Sequence, residues 1–246
     1  MSKADNFIVV IPARYNSSRL PGKPLKNIFG KSMLVRTFDI CALVVERSKI
    51  YVATDDKRIA NECKKNNINC IMTSKKCLTG TDRIAEVSKK IKKDFYINVQ
   101  GDEPLFNPND LKKLIIHAKK NKSEIINGYC PIDSESDFFN VNIPKVILNK
   151  KGYLMYMSRA PIPFNKKKIF NFGWRQICAY SLPLKSLVFF SKNKKKTPLE
   201  SQEDCELLRF IESGFKIKMI QMTAESIAVD TIKDLKKVRN IFKKQN

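Results

Sequence analysis

Short apolar runs alternate with segments of helical periodicity through the first half of the chain. The runs FIVVIP, KIYVAT, NCIMTS and DFYINV each predict one buried strand. Each run is followed by a segment in which apolar residues recur every three or four positions, and these segments predict helices at residues 33–47, 57–66, 80–91 and 108–121. Strands that alternate with helices in this way indicate a doubly wound, mostly parallel α/β sheet.

The pattern changes after about residue 140. Two strand-like runs surround a Lys-Gly turn, and an aromatic-rich stretch with Gly and Pro follows them. We interpret residues 140–195 as a β-rich insertion or dimerisation layer on a single domain that spans residues 1–246. The segment TPLESQEDCELLRFIESG then predicts one helix, because it has a Thr cap, Pro in the first turn and Gly after its end. A strand, KIKMIQMT, and a closing helix complete the chain.

The composition favours a cytosolic protein with a sizeable core. Apolar residues make up 43% of the 246 residues. No apolar run approaches the roughly 20 residues that span a bilayer, and the first apolar stretch is too short for a signal peptide. The seven cysteines form no CxxC pair, which favours reduced thiols over a zinc site or a disulfide framework. The single histidine, His117, lies in a predicted helix, which argues against Ser-His-Asp chemistry.

The net charge of +23 has two interpretations. A basic protein of this kind can bind nucleic acid if its cations cluster on one face. Here the lysines occur in many short runs, such as residues 64–65, 166–168 and 194–196, and no basic helix carries interleaved aromatics. We therefore favour solvated lysines spread over the surface and expect no nucleic-acid partner.

Charged residues follow several of the predicted strands, where ligands of doubly wound sheets bind. The loop at residues 14–23 carries Arg14, Arg19 and Lys23 but only one glycine, so side-chain cations would do most of any phosphate binding. The alternative is a surface loop of solvated cations. Asp102 follows the fourth strand and Asp230 follows the last one. Two such carboxylates suit Mg²⁺, although a turn carboxylate and a helix cap are the simpler interpretations.

Five motifs carry a family resemblance. In this order and spacing, the segments IPARYNSSRLPGKPL, TGTDR, NVQGDEPL, SRAPIP and VDT resemble the sugar-acid cytidylyltransferases. The similarity is greatest to the CMP-Kdo synthetase type, in which Kdo is 3-deoxy-manno-octulosonate, and it extends over residues 7–242. It implies a nucleotidyltransferase Rossmann-like fold and transfer of CMP from CTP to a 2-keto-3-deoxy sugar acid, with release of pyrophosphate, for lipopolysaccharide or capsule precursors.

The resemblance also implies roles for particular residues. Arg14, Lys23 and Asp102 match catalytic positions, and Asp102 and Asp230 match ligands of Mg²⁺. The positions that match nucleotide contacts are Pro12, Ala13, Arg14, Arg19, Lys23, Thr79, Gly80, Arg83 and Gln100. The positions assigned to the sugar are Arg159, Gln176, Tyr180 and Glu203. The implied partners are CTP, an acidic sugar and a second copy of the chain, with no membrane insertion.

Two departures from the family pattern leave the sugar open. Gln176 replaces a usual His, and Leu207 replaces a usual Gln. Both positions are expected to bear on the sugar, so an 8-amino analogue of Kdo or a sialic-acid-like sugar remains an alternative substrate. A uridylyl- or guanylyltransferase is a further alternative, although those enzymes more often have a glycine-rich first loop.

Overall fold

The computed structural model describes residues 6–17, 19–224 and 226–245. In chain order, the strands are β1 (Phe7–Ala13), β2 (Asn27–Ile28), β3 (Lys31–Ser32), β4 (Ile50–Thr54), β5 (Asn69–Met72), β6 (Phe95–Val99), β7 (Ile125–Pro131), β8 (Lys145–Leu148), β9 (Leu154–Ser158), β10 (Trp174–Pro183) and β11 (Ile217–Gln221). The helices are α1 (Met33–Ala42), α2 (Lys57–Lys65), α3 (Gly80–Lys90), α4 (Pro108–Lys120), α5 (Glu135–Phe138), α6 (Leu184–Lys192), α7 (Pro198–Glu203), α8 (Leu208–Glu212) and α9 (Ile232–Gln245).

The main sheet has the order β11-β7-β10-β6-β1-β4-β5. Strand β1 pairs in parallel with β4 and with β6, and β4 pairs in parallel with β5. Strands β7 and β11 form another parallel pair. The predicted doubly wound, mostly parallel sheet is therefore confirmed, and the carboxyl ends of β1, β4 and β6 meet at one edge.

Apolar cores cover both faces of this sheet, which explains the uninterrupted apolar run of β1. Val9 and Ile11 face a core shared with α1, α2 and α4. Ile8 and Val10 face a second core shared with α3, α6 and α8. A strand that is buried on both sides needs apolar residues at every position and not in alternation.

Within the seven-strand order, one strand runs against the others. Strand β10 lies between β6 and β7 and is antiparallel to both. Its pairing with β7 shifts register between Ile177 and Tyr180. Strands β8 and β9 form an antiparallel extension that joins the sheet through β10. The segment interpreted as an insertion is thus divided, because β8 and β9 extend the sheet while β10 and α6 belong to its centre and its covering layer.

The prediction of one helix over TPLESQEDCELLRFIESG is wrong. Helix α7 ends at Glu203, and the next residue, Asp204, has φ of 49° and ψ of 44°, which place it in the left-handed region. Left-handed backbone reverses the course of a helix, so the chain turns before α8 begins. After this turn, residues 204–206 lie at the carboxyl edge of the sheet.

All seven cysteines are free in the structure, and Cys41, Cys63, Cys130 and Cys205 are buried. Burial raises the pKa of Cys41 to about 12, and burial, as the largest effect, raises the pKa of Cys205 to the same value. Both therefore stay neutral at physiological pH. Within the described residues, no helix combines the length and the apolar character that crossing a bilayer requires.

Candidate active site

A cavity of about 280 Å³ opens at the carboxyl edge of the sheet. It is the crevice where doubly wound sheets bind ligands. The structure brings to it all but one of the residues that were assigned a catalytic or binding role from the sequence. Those that line it are Pro12, Ala13, Arg14, Arg19, Lys23, Thr79, Gly80, Arg83, Gln100, Asp102, Arg159, Gln176, Tyr180 and Asp230.

The loop after β1 presents its cations to this cavity. Gly22 adopts a left-handed conformation with φ of 66°, and a Cβ at this position would approach the Tyr15 ring to 3.1 Å. A glycine therefore makes the turn that starts the short 3-10 helix Lys23–Leu25. This short helix begins at Lys23, and the side chain of Lys23 lines the cavity at the end of the sheet.

Lys23 joins the two aspartates that come from distant parts of the chain. Its Nζ lies 2.6 Å from Asp102 Oδ2 and 2.9 Å from Asp230 Oδ1. Burial lowers the pKa of Lys23, but the charges of Asp102 and Asp230 outweigh burial and leave the pKa above its ordinary value. The two carboxylates thus share one cation, and their oxygens are no farther apart than the sum of these two distances.

Arg19 adds a second cation to the same cluster. Its Nη2 lies 3.1 Å from Asp230 Oδ1, and its Nη1 donates to Asn142 Oδ1 at 2.7 Å. Arg14 also lines the cavity and is exposed. The cluster therefore places three cations around a pair of carboxylates at the open edge of the sheet.

Glu103, the residue after Asp102, is a buried carboxyl group beside the site. It is only 4% exposed and accepts a hydrogen bond from Ser226 Oγ. Burial, followed by the charge of Asp102, raises the pKa of Glu103 to about 7. The backbone N–H of Val229 donates to Asp102 O at 2.9 Å, which fixes the segment of Asp230 against that of Asp102.

The turn before α3 forms another wall of the cavity. Thr79 caps the helix through a reciprocal capping box with Asp82. At Gly80, a Cβ would lie 3.1 Å from Gln100 Nε2 and 3.2 Å from Pro12 Cγ, so a glycine permits this close packing. Arg83 is nearly buried, and its guanidinium pairs with Asp55 at 2.9 Å. These contacts leave backbone and amide groups of this wall facing the cavity.

Arg159 also lines the cavity and is held mainly by backbone oxygens. Its Nε donates to Glu203 O at 2.7 Å, and its Nη2 donates to Asp204 O at 3.2 Å. Lys145, which sequence reasoning missed, is fully buried and donates to Arg159 O at 2.7 Å. Burial, followed by the charge of Arg159, lowers the pKa of Lys145 to about 8.

Gln176 and Tyr180 also line the cavity, and they are hydrogen-bonded to each other. Gln176 Nε2 donates to the hydroxyl oxygen of Tyr180 at 3.2 Å and to Asn127 Oδ1 at 3.3 Å. Burial raises the pKa of Tyr180 well above its ordinary value, so the phenol stays neutral. Leu207, by contrast, is fully buried in the core beneath the sheet and does not line the cavity.

The structure does not bring Glu203 to the cavity lining. Its carboxylate instead accepts hydrogen bonds from Ser158 Oγ at 2.6 Å and from the backbone N–H of Arg159 at 2.8 Å. Glu206 lines the cavity in its place. One Glu206 oxygen accepts from the Thr81 N–H at 3.0 Å, and the other is buried without a partner among the described residues. Because Asp204 turns the chain, sequence spacing alone cannot distinguish the two glutamates.

Comparisons with known proteins assign this chain to a family. Residues 8–245 match the family model described as cytidylyltransferase. The chain belongs to the cytidylyltransferase family. One curated relative of this cytidylyltransferase is the 3-deoxy-manno-octulosonate cytidylyltransferase of Protochlamydia amoebophila (strain UWE25). It is 37% identical, and the alignment covers 98% of this chain and 95% of the relative. The Escherichia coli enzyme of the same name is 34% identical, and the alignment covers 98% of this chain and 97% of the relative.

A solved structure agrees with the curated relatives. The CMP:2-keto-3-deoxy-manno-octonic acid synthetase complexed with CTP superposes on this cytidylyltransferase with a TM-score of 0.90 and 32% identity, over 98% of this chain and 100% of that chain. HddC from Yersinia pseudotuberculosis, at 18% identity and a TM-score of 0.70, shares the fold.

Proposed function

We propose that this cytidylyltransferase transfers CMP from CTP to a 2-keto-3-deoxy sugar acid, with Kdo as its substrate, and releases pyrophosphate. The observation that carries the proposal is the convergence of Asp102 and Asp230 on Lys23 beside Arg14 and Arg19. The names of the relatives and of the CTP-bound structural neighbour support the same reaction. The CMP-sugar would supply lipopolysaccharide or capsule precursors in the cytoplasm.

We infer that Asp102 and Asp230 hold Mg²⁺ during the reaction. The donor set fits this ion, since two carboxylates already share one cation, and Mg²⁺ prefers oxygen ligands that include substrate phosphates and water. Bound there, Mg²⁺ would lower the pKa of the attacking hydroxyl and neutralise charge on the α-phosphate. Lys23 and Arg19 would then turn from the aspartates to the triphosphate.

The cationic loop performs the electrostatic part of the reaction. The anomeric hydroxyl of the sugar attacks the α-phosphorus of CTP, the bond to the β-phosphate oxygen breaks, and pyrophosphate leaves with that electron pair while the hydroxyl proton passes to water. Negative charge spreads over the phosphate oxygens in the transition state. Arg14 and Lys23 stabilise this charge and the departing pyrophosphate, because cations that already face the bound triphosphate need no reorganisation at the moment of reaction.

Different residues of the cavity recognise the nucleotide and the sugar. The backbone of Pro12 and Ala13 with Thr79, Gly80, Arg83 and Gln100 forms the nucleotide wall. Arg159 presents a guanidinium to the sugar carboxylate, and such a pair gives direction as well as charge. The unpartnered oxygen of Glu206 accepts from a sugar hydroxyl, and the hydrogen-bonded pair of Gln176 and Tyr180 contacts another.

A substrate screen tests this function most directly. Purified enzyme with CTP and Mg²⁺ is offered Kdo, its 8-amino analogue or a sialic acid, and the CMP conjugate is detected by mass. We expect product with Kdo, and none when CTP is replaced by UTP or GTP. Product from none of the three sugars would contradict the proposal, and product only from the 8-amino analogue would contradict Kdo as the substrate while leaving CMP transfer intact.

We also propose a homodimer, and we expect sedimentation at micromolar concentration to give the mass of two chains. Large apolar side chains in the segment around β8 and β9 are exposed in the single chain, and a partner subunit would cover them. They are Phe139, Val141, Met155, Phe164, Ile169 and Phe172. Asp substitution of Phe164 and Phe172 together should give monomers, because charges are unfavourable in the buried centre of an interface. A wild-type protein that sediments only as a monomer would contradict this proposal.

A further inference from the structure

Lys196 and Asp204 form an ion pair at the rim of the cavity. Lys196 Nζ lies 2.5 Å from Asp204 Oδ1, and both residues line the cavity that holds Asp102 and Arg159. Lys196 comes from the loop between α6 and α7, and Asp204 comes from the left-handed turn that follows α7. The turn that redirects the chain toward the site therefore also places this pair there.

The two partners are unequally exposed to solvent. The Asp204 side chain is 72% exposed, whereas the Lys196 side chain is 27% exposed. A carboxylate that is this well solvated is held weakly by its partner and is readily exchanged for another anion. An ammonium group carries three N–H donors, and Asp204 accepts from Lys196 at only one of its oxygens.

Two further cations of the site, Arg159 and Arg14, also act on the charge of Asp204. The hydrogen bond from Lys196, followed by the positive charges of Lys196, Arg159 and Arg14, lowers the pKa of Asp204, although partial burial acts in the opposite direction. Arg159 reaches the same turn through its hydrogen bond to Asp204 O. Lys196 and Arg159 both contact this exposed turn, so Asp204 occupies a position suited to an anionic group of a substrate.

We propose that Lys196 is a further substrate-binding residue, and that its ion pair with Asp204 keeps the ammonium at the cavity rim until an anionic oxygen of a substrate replaces the Asp204 carboxylate. The proposal rests on the proposed function, since the anion is either the sugar-acid carboxylate or a phosphate of CTP. It also distinguishes Lys196 from the rest of its lysine run. Lys194 and Lys195 are exposed and lie outside the cavity lining, as the solvated interpretation of that run expects.

Kinetics of three single variants test the role of Lys196. Lys196→Met removes the charge and keeps the length of the side chain, and Lys195→Met is the matched control. Asp204→Asn keeps the left-handed turn, because Asn tolerates that conformation, and it frees the ammonium. The Michaelis constant for the sugar acid is measured at saturating CTP, and that for CTP at saturating sugar acid. Thermal unfolding verifies that each variant is folded.

We expect Lys196→Met to raise one Michaelis constant about tenfold, the size of one charge-assisted hydrogen bond, while kcat changes little. The affected constant identifies the carboxylate or the phosphate as the anion. Lys195→Met should change neither constant, and Asp204→Asn should lower the affected constant or leave it unchanged. Equal behaviour of Lys196→Met and Lys195→Met would overturn the proposal. A rise of the same constant in Asp204→Asn would also overturn it, because the pair would then only brace the loop.

Product formation by the wild-type enzyme tests the proposed function separately. Wild-type turnover with unaffected Lys196→Met kinetics would refute the role of Lys196 and leave the function intact. Absence of wild-type turnover with every sugar acid would refute the function, and this proposal with it.

Discussion

Asp102→Asn is expected to reduce kcat/KM for CMP transfer by roughly a thousandfold or more, because it removes one of the two carboxylates inferred to hold Mg²⁺ where charge develops. The change is isosteric, and Lys23 keeps its contact with Asp230 at 2.9 Å. We therefore expect the temperature of unfolding to change little. The measurement is the initial rate of pyrophosphate release with CTP, Kdo and Mg²⁺, together with a thermal unfolding curve.

Asp39→Asn is the matched control for this variant. Asp39 also pairs with a lysine, Lys31, at 2.6 Å, but it lies on α1 and outside the cavity lining. Its turnover should equal that of the wild type. Retention of more than about a tenth of wild-type turnover by Asp102→Asn would contradict the role assigned to that carboxylate, since loss of a single preorganised group usually costs a hundredfold or more.

Arg209→Met is expected to cost about 3–5 kcal/mol in the free energy of unfolding, because it breaks a buried ion pair and leaves one charge unpaired. Arg209 and Glu200 are both fully buried. The guanidinium donates to the two Glu200 oxygens at 2.6 and 2.7 Å, and it packs over the Phe190 ring at 3.7 Å. Urea denaturation of the two proteins gives the difference.

Two further variants separate the buried charge from lost packing. Arg209→Met combined with Glu200→Leu removes both charges and should recover much of the lost stability, since apolar replacement of a whole buried pair is often neutral. Lys31→Met removes an exposed lysine that pairs with Asp39 and should hardly change the free energy of unfolding. A loss below about 1 kcal/mol for Arg209→Met would mean that Glu200 is not held as a buried anion.

The Arg209→Met substitution should also weaken the binding of CTP. Arg209 Nη1 lies 3.3 Å from Asp82 Oδ1, and Asp82 caps the turn that contains Thr79 and Gly80. Arg209 is therefore a positioning residue for the nucleotide wall. The Michaelis constant for CTP should rise more than that for the sugar acid in Arg209→Met.

The first half of the fold could be predicted from the sequence because local and tertiary signals agree there. β1 is apolar at every position. The turn before α3 has a capping box, and its pattern, Thr79 followed three residues later by Asp82, is visible in the sequence. Cations and carboxylates at the ends of these strands then converge because parallel strands end at one edge. The family resemblance added Asp230, which a local pattern alone does not distinguish from a helix cap.

The second half depended on contacts that no local pattern records. β10 lies inside the sheet only because its residues pair with β6 on one side and β7 on the other. Asp204 breaks a segment with good helix signals at both ends, and this break decides that Glu206 reaches the cavity and Glu203 does not. Leu207 departs from the family pattern but packs in the core, so Gln176 is the departure that reaches the cavity.

Calorimetric titration of CTP, with EDTA or with Mn²⁺ and without sugar, tests the joint role of Asp102 and Asp230 most directly. With EDTA, either Asp→Asn variant should bind CTP at least as tightly as the wild type, because a carboxylate that repels the triphosphate is gone. With Mn²⁺, binding by the wild type and by Asp39→Asn should tighten by about tenfold or more, as a bridging cation predicts. Asp102→Asn and Asp230→Asn should each lose this gain. An equal gain from Mn²⁺ in all four proteins would contradict the account.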